Sequence, residues 1–77
     1  MNQQKIIGQA IRRIRLEREM SQEELALKAG IARSYMSGLE NGWRNPTVAV
    51  LDRVAKGLGV RFGDLLTERL YTPRRKK

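Results

Sequence analysis

The chain has 77 residues, room for one domain and one small core, and contains neither cysteine nor histidine. That composition excludes disulfide staples, zinc-finger ligand sets and thiol or imidazole catalysis. Sixteen basic residues against eight acidic ones give a net charge of +8 and an isoelectric point near 10.9, a balance that attracts polyanions and speeds encounter with them.

The apolar spacing predicts five helices and no strands. The first covers about residues 4–18, with Ile7, Ala10, Ile11 and Ile14 on one face and Lys5, Arg12, Arg13, Glu17 and Arg18 on the others. Gly8 interrupts it at a helix-propensity cost, which implies close approach of a neighbouring helix. Ser21 and Glu24 carry the signature of a capping box that opens the second helix, with Met20 and Leu25 placed for a hydrophobic staple. Leu25, Ala26 and Ala29 form its inward face, and Gly30 ends it. The third helix, about residues 33–40, turns Met36 and Leu39 inward and sets Arg33, Ser34, Ser37 and Gly38 on other faces. Asn41-Gly42 stops it, and the loop to Pro46 carries Trp43 and Arg44.

Thr47 is the expected cap of a fourth helix with the stripe Leu51, Val54, Ala55 and Leu58 and the terminator Gly59. A short fifth helix is expected over residues 61–66, bearing Phe62, Leu65 and Leu66. Residues 1–66 thus read as one domain, and residues 67–77, with five basic residues and one acidic, as a basic, flexible tail. The polar start Met1–Lys5 lacks the apolar core of a secretory signal, and no apolar run approaches the roughly 20 residues that span a bilayer. A cytoplasmic protein without a membrane partner is therefore expected.

The segment from Gln22 to Asn41 carries the most information. Ala26 must be small where the third helix crosses the second, and Gly30 supplies the positive φ of a tight interhelical turn. Ile31, Met36 and Leu39 then hold the third helix in place. These requirements at these offsets describe a helix-turn-helix unit, whose second helix enters the major groove of duplex DNA.

From Ile7-Gly8 through Ile11, Ile14-Arg15, Ser21-Gln22-Glu23-Glu24-Leu25-Ala26 and Gly30, the chain resembles the lambda-repressor/Cro-like (XRE) helix-turn-helix family. The likeness continues through Ser34, Leu39-Glu40-Asn41-Gly42, Pro46, Leu51, Ala55, Leu58 and Leu65, so it covers about residues 6–66. It implies an all-α bundle and a bacterial or phage transcription regulator. Within the family, the short chain and Arg33-Ser34-Tyr35-Met36-Ser37-Gly38 look most like controller proteins of restriction–modification systems.

The resemblance also implies roles. Gln22 matches a position that contacts DNA and braces the recognition helix. Arg33 and Ser34 match its front, where an arginine can pair bidentately with guanine or, alternatively, hold a phosphate. Ser37 follows one turn later, and Tyr35 either reaches the backbone or packs beside the second helix. Gly38 leaves one groove-facing position without a side chain. Asn41, Arg44 and Asn45 match phosphate-gripping positions; Trp43 either flanks a phosphate or, more simply, covers the core edge. Arg15 and Glu40 match a structural charge pair that orients the recognition helix.

Useful specificity needs two recognition helices, so a homodimer on an inverted repeat is expected, with Val60, Phe62, Leu65, Leu66, Leu70 and Tyr71 as candidate interface residues. Some of these must instead close the chain's own core. RNA polymerase or a small protein is a conceivable further partner, and an antitoxin-like regulator with a protein as its main partner is the alternative reading. No cofactor, metal site or enzymatic activity is expected: Gly57-Leu58-Gly59 lacks the third glycine and the preceding strand of a dinucleotide loop, and Glu23 and Glu24 are explained by helix capping.

Overall fold

The computed structural model describes residues 2–66. Every regular element among them is helical: α1 (Gln3–Glu17), α2 (Gln22–Ala29), α3 (Arg33–Glu40), α4 (Val48–Leu58) and a final 3₁₀ turn (Phe62–Leu65). The boundaries follow from capping chemistry. Asn2 Oδ1 accepts from the Lys5 N–H at 2.9 Å and starts α1 one residue earlier than the apolar pattern alone suggests. Ser21 and Glu24 form the reciprocal box expected of them, at 2.9 and 3.1 Å. Thr47 Oγ1 accepts from the Val50 N–H at 3.1 Å to open α4. α2 and α4 each end on a left-handed glycine, Gly30 and Gly59.

The fifth helix expected over residues 61–66 is a correction. The segment makes a single 3₁₀ turn, with Asp64 N–H donating to the Arg61 carbonyl and Leu66 N–H to that of Gly63. Its bonds run i→i+3, the tighter pattern common in short pieces, so the α-helices number four among the described residues.

Ile11, Ile14, Leu25, Met36, Leu39, Val54, Leu58 and Leu65 meet in one core, each at most 1% exposed. α2 packs chiefly on α4 and α3, α1 lies on α3, and the 3₁₀ turn closes the bottom against α4 and α1. Arginines tie helix ends across the bundle: Arg53 Nε donates to the Ala29 carbonyl at 3.0 Å and Arg18 Nε to that of Leu58. Both bonds satisfy C-terminal carbonyls that the helix ladder leaves open. No helix among the described residues is long and apolar enough to cross a membrane.

Ser21→Ala removes the hydroxyl half of the α2 capping box, and an unfolding-stability loss of about 1 kcal/mol is expected by urea titration. An unchanged midpoint would show that the box contributes nothing to the helix pair.

Candidate nucleic-acid interface

α2 and α3 are joined through Gly30 (φ 72°), Ile31 and Ala32. Ile31 N–H returns to the Ala26 carbonyl at 3.0 Å, which fixes the turn. Met36 and Leu39 anchor α3 in the core, and Gly38 and Glu40 are buried as well, so the helix is exposed chiefly at its start. Arg33 and Ser34 are exposed at its start, while Tyr35 and Ser37 are half-buried. Ala32 provides no side-chain cap, so the first N–H groups of α3 keep their donor capacity next to Arg33.

The far end of α3 is pinned by a buried ion pair. Arg15 reaches Glu40 bidentately, Nε to Oε2 at 2.6 Å and Nη2 to Oε1 at 3.0 Å, with the side chains only 8% and 2% exposed. Arg15 Nη1 also donates to the Met20 carbonyl at 2.7 Å. Gln22 Nε2 adds a third bond to the carboxylate, at 3.0 Å from Oε1. Three helices therefore converge on one carboxylate, and such a fork is both strong and directional. Gly8 shows how close α1 comes: a Cβ there would stand 2.3 Å from the Leu39 carbonyl oxygen and 2.7 Å from that of Glu40.

The loop after α3 folds back onto it. Trp43 N–H donates to the Gly38 carbonyl at 2.9 Å, and Asn41 Nδ2 to that of Ser37 at 3.0 Å. Arg44 and Asn45 are exposed, with the Arg44 guanidinium carbon 5.6 Å from the centre of the Tyr35 ring. Two expectations change here. Trp43 is 75% exposed and does not cover the core edge. Gly38 is buried, not open towards a groove, because the Arg44 side chain lies across it.

A polar cleft of about 460 Å³ borders the charge pair, lined by Lys5, Gln9, Arg12, Gln22, Glu40 and Asn41. The α1 members of this group were missing from the sequence reading of the interface. Their spacing, i, i+4 and i+7, puts them on one helical face, and that polar stripe was the available signal.

The candidate dimer residues fall into three groups. Leu65 is 0% exposed and belongs to this chain's own core, while Val60 and Phe62 are half-buried against it. Leu66 is 40% exposed. Leu70, Tyr71 and the basic tail lie outside the described residues.

Comparison with known proteins agrees with this geometry. A helix-turn-helix family model matches residues 11–65. The uncharacterized HTH-type transcriptional regulator y4dJ of Sinorhizobium fredii is 40% identical over 73 residues, covering 95% of each chain. Control protein C.BamHI of Bacillus amyloliquefaciens is 42% identical over 62 residues, or 79% of this chain and 76% of that one. The crystal structure of the restriction-modification controller protein C.AhdI of Aeromonas hydrophila superposes with a TM-score of 0.79 at 34% identity, covering 80% of this chain and 94% of that one.

Proposed function

The chain belongs to the helix-turn-helix family, and on that premise we propose that it is a sequence-specific duplex DNA-binding regulator of transcription acting in the bacterial cytoplasm. One observation carries the reading: the exposed start of α3, with Arg33 and Ser34, stands on a helix whose other end is fixed by the Arg15–Glu40–Gln22 cluster. A recognition helix needs both a free, hydrogen-bonding leading edge and a rigid mount. The net charge of +8 supplies the long-range attraction that brings such a surface to DNA.

In this reading Arg33 and Ser34 read base edges, while Gln22, Asn41, Arg44 and Asn45 fix the register through phosphates. Tyr35 and Ser37 line the same surface. A homodimer presents two such helices to an inverted repeat with half-sites about 34 Å apart. Leu66, which is exposed, and the half-buried Val60 and Phe62 belong to the surface proposed to join the protomers. The likeness to C.BamHI and C.AhdI favours control of a promoter by a small regulator of the controller-protein type. No catalytic role is proposed.

Selection from randomised duplex DNA at about 0.15 M salt tests this, because nonspecific contacts are weak there. Enrichment of an inverted repeat is the expected result; binding without enrichment would refute sequence reading. Arg33→Ala is expected to weaken binding to the selected site by about 1–3 kcal/mol and to relax preference at one base per half-site. Equal loss on all sequences would reassign Arg33 to a phosphate.

A further inference from the structure

The recognition helix contains a glycine that is buried, and what buries it is a side chain from outside the helix. A Cβ built on Gly38 would lie 2.7 Å from Arg44 Cγ, 3.3 Å from its Nε and 3.5 Å from its Cδ. The Arg44 stem therefore occupies the space that any other residue at 38 would fill. Tyr35 precedes Gly38 by one turn on the same face, and the Arg44 guanidinium carbon lies 5.6 Å from its ring centre. The Gly38 carbonyl accepts from Trp43 N–H, so the backbone of the same glycine returns the loop to the helix.

We infer that Gly38 is a positioning residue for DNA recognition: by having no side chain it seats Arg44 on the recognition helix, where Arg44 takes the place of a residue-38 side chain and acts jointly with Tyr35. The inference rests on the DNA-binding reading above and deepens it. The absence of a side chain at 38 does not leave a gap in the contact surface; it is the condition for a cation delivered from the loop. An arginine anchored along its stem over a ring loses less rotamer freedom on meeting DNA than one projecting into solvent.

The test separates seating from folding and from binding. Gly38→Ala places its methyl against Cγ, near the base of the Arg44 side chain, so Arg44 must leave; the helix itself gains propensity. Its melting temperature is expected to stay close to that of the parent chain, the gain in helix propensity offsetting the displacement of Arg44 Cγ. In the free protein, the ring of Tyr35 is expected to shift the Arg44 side-chain proton resonances, and this shift is expected to vanish in Gly38→Ala; its absence from the parent or its persistence in the variant would overturn the seating, whatever the protein binds. On a duplex selected from randomised DNA, Gly38→Ala and Arg44→Ala are each expected to weaken binding about tenfold, within the range of a single lost contact. In the double variant the losses should not add, remaining about tenfold. Independent losses multiplying to about a hundredfold would refute the positioning role, as would parent-like binding by Gly38→Ala. A seated Arg44 in a protein that binds no selected duplex would sink the recognition role and the DNA reading together, leaving only the packing.

Discussion

Glu40→Ala should lower the unfolding free energy by about 3–5 kcal/mol, a large share of the roughly 5–15 kcal/mol that holds a domain folded. The carboxylate is 2% exposed and takes two bonds from Arg15 and one from Gln22. Without it, a guanidinium that is itself 8% exposed keeps only its bond to the Met20 carbonyl, and the Gln22 amide loses its partner. The loss is therefore chiefly the expense of an uncompensated buried charge, not the worth of the pair. The double replacement Arg15→Met with Glu40→Leu removes both charges at similar volume and should recover most of the stability. Urea titrations followed by circular dichroism decide between these outcomes. A Glu40→Ala midpoint within experimental error of the parent would show that the pair does not hold the bundle together. The double variant should still bind the selected duplex less well, because Gln22 and α3 lose their common tether.

Gly8→Ala should destabilise by about 2–3 kcal/mol, against the direction of helix propensity, which favours alanine by about 1 kcal/mol. The added methyl meets the carbonyl oxygens of Leu39 and Glu40 at 2.3 and 2.7 Å, and these are backbone atoms with no rotamer to yield. α1 and α3 must then separate. By the scaling of a domain of 60–100 residues, this corresponds to a fall in melting temperature of about 10–20 °C. A melting temperature at or above that of the parent would mean that the two helices slide apart freely. The same substitution at Gly38 carries a much smaller expected loss, since there the obstacle is the Arg44 side chain, which can rotate away where a backbone carbonyl cannot.

Local signals made much of the fold legible. The Ser21–Glu24 box, the terminators Gly30 and Gly59 and the Thr47 cap are short-range chemistry, and the structure places helix ends where they stand. The core was legible for the same reason, because Ile11, Ile14, Met36 and Leu39 recur at the helical period. Phe62, Leu65 and Leu66 fit helical spacing although the segment is a 3₁₀ turn, whose four-residue length depends on where the chain must close. The partners of Arg18 and Arg53 lie 40 and 24 residues away and leave no local pattern. In the candidate interface, the roles of Arg33, Ser34 and Gln22 are proposals that rest on the family resemblance; the structure shows Arg33 and Ser34 exposed at the start of α3 and Gln22 bonded to Glu40. The covering of Gly38 by Arg44 was not legible, since a glycine's neighbours are set by tertiary packing and its own residue type is silent about them.

The near contact of α1 with the carbonyls that end α3 also bears on what must change when a duplex is engaged. Locked against α1 and held through Glu40, the recognition helix arrives with its tilt already set, so little induced fit is available to it. Adaptation then falls to the nucleic acid. For the proposed dimer on an inverted repeat, base steps that kink or narrow the minor groove at low elastic energy are expected to be preferred between the half-sites, even where no side chain reaches them. Selected sequences should accordingly show a consensus at central, untouched positions as well as under Arg33, written there by the stiffness of the protein.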